Sequence, residues 1–382
     1  MDWLTGGRTG EAKRLISQLT DPYKRDRAAQ DLIQIGAEAI PVLIDSLATR
    51  DTNLRELAAR VLVQIGPPAV PPLCKALAAA HPEVRGQAAA ILGNIGDKRS
   101  VPFLLEALQG EFYTVRAKAA LALGQIRDAQ AISALTNALH DREPDVRAAA
   151  ARGLSPFADP RTFEAIGNVL LDDPQIEVRQ AAAESLGNTR RPEAIPYLVD
   201  ALHDSFWWYE REQAVNDLLD AIAQMENAVV PELINDLSNP EGTVRRFAAM
   251  LLARLPDQRA IEALTTSLYD THPDVCKASA EALAAIGAPA LSVLLDALHH
   301  PEAWIRQQAV IGLTKSRDPQ VIPELINLLN DENREVRKQV IQSLGQLRDS
   351  RALPALQELA ASRADRELAA LAKQAIQSIQ SR

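Results

Sequence analysis

The chain has 382 residues, and its 50 acidic against 41 basic side chains leave a net charge of −9. That balance argues against a nucleic-acid or anionic-membrane partner, two cysteines exclude a disulfide framework, and no apolar run approaches the ~20 residues of a membrane-spanning helix. The hydrophobic fraction reaches 47% with only 4% aromatic residues, which points to many short, closely packed helices rather than a ring-filled globular core.

The first residues, Met1-Asp2-Trp3-Leu4, show neither the basic nor the apolar stretch of a signal peptide, so a cytoplasmic protein is expected. From there a string recurs: turn residues, an apolar residue, Arg, two variable positions, Ala-Ala and then Leu. Arg25, Arg55, Arg85, Arg116, Arg147, Arg179, Arg211, Arg245, Arg306 and Arg337 hold one register at steps of 30 to 34 residues, apart from the slot between Arg245 and Arg306, which Cys276 occupies. Half a period away, Pro41, Pro71, Pro102, Pro196, Pro231, Pro323 and Pro354 share a second register. Each period reads as two helices. Helix A starts near the proline, whose missing N–H costs nothing in a first turn, and helix B starts at the turn before the arginine. Gly36, Gly66, Gly96 and Gly287 follow B helices as C-terminal caps. In the third repeat Val84, Ala88, Leu92 and Ile95 fall on one helical face, and no segment alternates as a strand does. The spacing predicts an all-α fold, an α–α superhelix of about twelve helix pairs. It forms one domain over residues 1–382, with repeats beginning near residues 11, 37, 67, 98, 128, 160, 192, 227, 258, 288, 319 and 350.

The string around Asp145-Val146-Arg147, repeated at Glu335-Val336-Arg337, resembles short bacterial HEAT repeats, and among these the phycobilisome-lyase HEAT-like repeats of cyanobacteria. The likeness spans nearly the whole chain. It implies a HEAT-like solenoid in which the register arginines and the turn acids form a structural ladder. It also implies an alternative activity, a phycobilin lyase or lyase subunit that attaches or removes a linear tetrapyrrole on a phycobiliprotein cysteine.

The residues themselves assign no catalytic group. His81, His140, His203, His272, His299 and His300 fall in A-to-B turns of mostly different repeats, too far apart to converge on a metal. No His-Glu dipeptide of the kind that ligates iron in HEAT-repeat hydroxylases occurs, and no phosphate-binding Gly-rich loop or Gly-x-Ser-x-Gly elbow is present. Cys74 reads as a small core residue. Cys276, in an arginine slot, is expected to be the more accessible thiol, without a basic neighbour to activate it.

The regularity breaks in repeat seven. Phe206-Trp207-Trp208-Tyr209 stand where other repeats carry small or polar residues, and the step from Arg211 to Arg245 is the longest. The added length falls near Ala223-Gln224-Met225, which predicts a further helical turn. Helical period places positions −2, +2, +5 and +9 from the arginine on one solvent-facing stripe. In repeats seven and eight this stripe carries Tyr209, Gln213, Asn216, Asp220, Phe247, Met250 and Arg254, and Phe247 and Met250 join Trp208 and Tyr209 in one apolar patch. The expectation is an exposed aromatic patch on the concave B-helix wall that grips a protein partner, without metal, cofactor or nucleic acid. Under the lyase alternative Trp207, Trp208 and Tyr209 would stack on the pyrrole rings. Arg211 or Arg254 would then meet a propionate, and Asp217 or Asp220 would donate a proton.

Overall fold

A computed structural model describes residues 2–157, 159–208, 212–362 and 364–381. Among them there are twelve helix pairs and no strand, with one additional short helix, Ser205–Trp208. The pairs form two compact units. One comprises Met1–Ala201 with Arg211–Ala221, and the other Leu202–Glu210 with Ile222–Arg382.

The third repeat shows how the sequence builds a pair. His81 is extended, Pro82 opens the B helix Pro82–Ile95, and Gly96 ends it in the left-handed region at φ 75°, which a side chain would strain. Asp97 then accepts a hydrogen bond from the backbone N–H of Arg99 and starts a 3-10 turn, Lys98–Ser100. The A helix Val101–Leu108 follows with its proline in the first turn. The same aspartate starts A helices at Asp159, Asp257, Asp318 and Asp349. Gly36, Gly66 and Gly287 also cap B helices at positive φ, and Arg127, Arg190, Arg317 and Arg348 take the same slot elsewhere with φ between 51° and 56°.

In repeat seven the B helix ends twelve positions after the register arginine, against ten in the third repeat, so it gains two residues rather than a whole further turn. The helix Glu212–Ala223 stops at Ala223, and Gln224 and Met225 form a turn before the 3-10 segment Glu226–Ala228. Met225 is buried, and Glu226 holds φ 52°. A positive φ cannot continue a right-handed helix, and the third extra residue, Val229, stands between the 3-10 segment and the A helix Val230–Asp236.

Within each unit the B helices pack chiefly on one another, while the A helices touch their A neighbours more sparsely. Small residues make this possible. A Cβ on Gly124 would stand 2.5 Å from the Gly153 carbonyl oxygen and 2.6 Å from its Cα, and one on Gly153 would stand 2.6 Å from the Ala120 oxygen. In the second unit a Cβ on Gly312 would likewise stand 2.8 Å from the Ala280 oxygen. Alanine and glycine thus let B-helix backbones nearly touch, which accounts for a composition rich in alanine and poor in rings. Gly124→Ala is expected to destabilise by about 1–3 kcal/mol through overpacking, against the ~1 kcal/mol that alanine gains in helix propensity. Gly86→Ala, whose Cβ would meet only the flexible Lys118 side chain at 3.1 Å, should be neutral or stabilising. Thermal melting of the two variants decides, and equal shifts would contradict the close B–B approach.

Candidate functional site

The arginine register forms the spine of each unit. At every described position of the register the side chain donates to the carbonyl six residues earlier: Arg25 to Leu19, Arg55 to Thr49, Arg85 to Ala79, Arg116 to Gly110, Arg147 to Asp141 and Arg179 to Asp173 in the first unit. In the second, Arg245 bonds Asn239, Arg306 bonds His300 and Arg337 bonds Asp331. At least four of the described arginines also hold the aspartate of the next repeat's turn through two bonds. The pairs are Arg116 with Asp141 (2.7 and 2.8 Å), Arg147 with Asp173 (2.6 and 3.0 Å), Arg245 with Asp270 (2.6 and 2.9 Å) and Arg306 with Asp331 (2.8 and 2.8 Å). Each of these aspartates also accepts the backbone N–H two residues on, which closes its turn.

Cys276 does not become accessible by replacing an arginine. It is fully buried, and its thiol donates to the Asp270 carbonyl at 3.0 Å, the bond the arginine makes elsewhere. Burial and the nearby Asp270 push the thiol up to about 12, so it stays protonated at neutral pH. Cys74 is buried as well, and its thiol is raised first by desolvation. Among the described residues no group of three or more His, Cys, Asp or Glu side chains could hold a metal ion.

The solvent-facing stripe of the B helices is narrower than its period suggests. Position +2 from the arginine is buried at Ala149, Ala181, Phe247 and Ala278, because neighbouring B helices approach closely enough to cover it. Phe247 is therefore packed at 3% exposure, with the Arg246 guanidinium 4.8 Å from its ring centre, and is not part of an exposed patch. Met250 at +5 is half-buried, and Arg254 at +9 is exposed. Trp207 is fully buried. The side chain of Trp208, and Tyr209 and Arg211 altogether, lie outside the described residues. Gln213 and Asp220 are exposed, and the two oxygens of Asp217 accept from the Gln180 and Gln213 amides at 2.7 and 2.8 Å. The structure thus joins Gln213 to Asp217 and separates Trp207 and Phe247 from solvent.

What faces outward is a row that the aromatic break had obscured. Position +9 is exposed in the first unit at Gln34, Gln64, Asn94, Gln125 and Asn188, a side-chain amide in repeats one to four and six, with Pro156 in that slot in repeat five. Between the second and third of these helices runs a shallow hollow of about 320 Å³, which Gln64, Gln87 and Asn94 help to line. In the second unit the last B helices enclose a larger one of about 1120 Å³, lined by Lys315, Gln342, Gln346, Arg348 and Gln374 among others. The amide register was readable from the arginine register alone by counting nine residues on.

The sequence matches HEAT repeats over residues 12–79, 70–155, 132–218, 230–308 and 291–377, and the chain belongs to the HEAT-repeat family. A search of curated proteins finds no match. Among solved structures the chain is similar to Kap121p bound to Pho4p, with a TM-score of 0.60 at 14% identity, covering 97% of this chain and 50% of that one. Kap121p bound to Nup53p gives a TM-score of 0.59 at 14% identity, with 97% and 49% covered. Kap95p with RanGDP gives 0.55 at 14% identity, with 98% and 60% covered. The chain spans about half the length of the Kap121p chains it matches. At this identity the likeness establishes the fold, an all-α HEAT solenoid. No single helix among the described residues is long and apolar enough to cross a membrane.

Proposed function

We propose that the chain is a non-enzymatic protein-binding scaffold that holds an extended polypeptide segment along the B-helix face of its first unit. The row of exposed amides at Gln34, Gln64, Asn94, Gln125 and Asn188 carries this reading. A side-chain amide both donates and accepts, which matches the N–H and C=O of an extended backbone. Stacked helices lie ~8–10 Å apart and an extended chain rises ~3.3 Å per residue, so each repeat meets about every third residue. The fold likeness to Kap121p, whose structures hold Pho4p or Nup53p, is in keeping with a protein partner.

The experiment is site-specific photo-crosslinking in a native extract. A crosslinker at Asn94 or Gln125 should capture a partner, and one at Glu164, exposed on the A helix Pro160–Asp172, should not. Changing Gln64, Asn94 and Gln125 together to alanine should weaken that partner ~100-fold, at about 1 kcal/mol for each lost hydrogen bond, with an unchanged melting curve. Capture from Glu164 alone would sink the B-face assignment.

The bilin-lyase alternative, with a phycobiliprotein as partner and a phycobilin as its pigment, rests on the resemblance of the repeats. Buried Trp207 and doubly bonded Asp217 give it no support among the described residues. Co-purification of a coloured linear tetrapyrrole would favour it over the scaffold.

A further inference from the structure

Among the described residues no carboxylate pairs with the register arginines Arg25, Arg55, Arg85 and Arg337, and at Arg85 the surface opens into a pocket. Gly110 is the counterpart of Asp141. Its carbonyl accepts from Arg116 as that of Asp141 accepts from Arg147, and its N–H bonds the carbonyl three residues earlier at 3.2 Å, as that of Asp141 does. Counting 25 residues from Arg116 reaches Asp141, and counting 25 from Arg85 reaches Gly110. Arg85 therefore faces a glycine where Arg116, Arg147, Arg245 and Arg306 face a carboxylate. Its Nε donates to the Ala79 carbonyl, and among the described residues no carboxylate pairs with it.

In place of the missing aspartate lies a pocket of about 620 Å³, bordered by Arg85, Gly110, Leu77, Phe103 and Phe112. The corresponding hollow at the next rung, where Asp141 stands against Arg116, is about 400 Å³. The Arg85 guanidinium carbon lies 5.5 Å from the Phe112 ring centre, which holds the fork in place. Phe103 is 46% exposed, a large apolar surface in a chain with few rings. Lys75, Glu106 and Glu111 also line the pocket. With both signs balanced, it disfavours a run of acids and suits one carboxylate next to an apolar group.

We propose that this pocket is a docking site for a partner polypeptide, in which an Asp or Glu side chain completes the Arg85 rung and an adjacent apolar side chain packs on Phe103 and Leu77. The native rungs supply the template for the ligand, since the same guanidinium in the same turn holds an aspartate at Arg116, Arg147, Arg245 and Arg306. The site lies at the start of the B helix. The amide row lies nine residues on, ~13 Å along the axis, so this site stands or falls separately from the B-face reading.

The test is built into the molecule. Gly110 has no positive φ, and a Cβ there would meet only the Ala107 carbonyl oxygen at 3.1 Å, in a turn that accommodates aspartate at 141. Gly110→Asp should therefore fill the rung from within, melt at or above the wild-type temperature and close the pocket. A displayed library of random twelve-residue peptides is selected on the wild-type chain and on Gly110→Asp. Peptides recovered on the wild type alone should share an acid beside Leu, Ile or Phe. Their affinity by fluorescence anisotropy should fall at least tenfold on Gly110→Asp, on Arg85→Gln, and on exchange of the peptide's acid for its amide. Arg85→Gln keeps the test open should Gly110→Asp fold poorly. Recovery of no such peptides, or peptides that bind all three proteins equally or keep their affinity without the acid, would overturn the proposal.

Discussion

Arg245→Ala should destabilise its repeat by about 3–5 kcal/mol, the usual consequence of leaving one partner of a buried ion pair alone. The Arg245 and Asp270 side chains are 12% and 10% exposed, and the arginine also satisfies the Asn239 and Pro240 carbonyls. Removal strands the Asp270 carboxylate with the His272 backbone N–H as its remaining strong donor. Replacing both members by apolar residues should cost much less, because no charge is then left buried. The same rung sets an acid limit. Burial alone would raise the Asp270 carboxyl, but the Arg245 guanidinium and the His272 N–H outweigh it and bring it to about 2. An unfolded aspartate titrates near 3.9. The rung therefore contributes fully above about pH 4, and its contribution, roughly 2 kcal/mol, is lost as the pH falls towards 2. Stability in a stacked array is a sum of local terms, so hydrogen exchange in Gly242–Arg254 and Pro273–Ile286 is the appropriate readout. The gap between wild type and Asp270→Asn should close between pH 4 and pH 2. A gap constant over that range would refute the assignment.

The elements of this fold are legible in the sequence because they are local and repeated. An arginine every 30 to 34 residues, a proline at the A-helix start and a glycine at a B-helix end each act within one or two turns of chain, and repetition averages away their exceptions. What surrounds a helix face is not local. Periodicity correctly groups Phe247 with Met250 and Arg254. Whether position +2 meets water or a neighbour depends on how near the next B helix comes, and that distance is set by alanine and glycine contributed from another repeat. The same holds for Cys276. Its loss of the guanidinium is visible in the sequence, yet its burial follows from a thiol taking over the bond to a carbonyl six residues away. The gap at Gly110 lay between these cases. It could be seen only once the 25-residue step from arginine to aspartate was known, and that step is a contact between repeats rather than a pattern within one.

Trp207→Ala should cost about 3–5 kcal/mol, as for a deleted core ring, and should leave partner affinity unchanged at temperatures where the chain is folded. The aromatic run of repeat seven suggests an exposed anchor, but the Trp207 ring has no solvent exposure. It packs edge-on to Phe206 at 6.4 Å with an interplanar angle of 79°, so its deletion opens a cavity rather than removing an anchor. The indole carries a further penalty, since its Nε1 has no hydrogen-bond partner among the described residues. A buried donor left unsatisfied costs about 1–3 kcal/mol. Trp207→Phe removes that donor while keeping most of the ring volume, so its loss should be less than half that of Trp207→Ala. The ordering separates packing from polar function: a structural indole tolerates phenylalanine, whereas one that donates to a ligand does not. Denaturant unfolding of the two variants reads the order, and crosslinking from Asn94 reads the binding. If Trp207→Ala melts with the wild type, or if Trp207→Phe abolishes capture while folding normally, the ring serves recognition and its burial belongs to the unliganded chain.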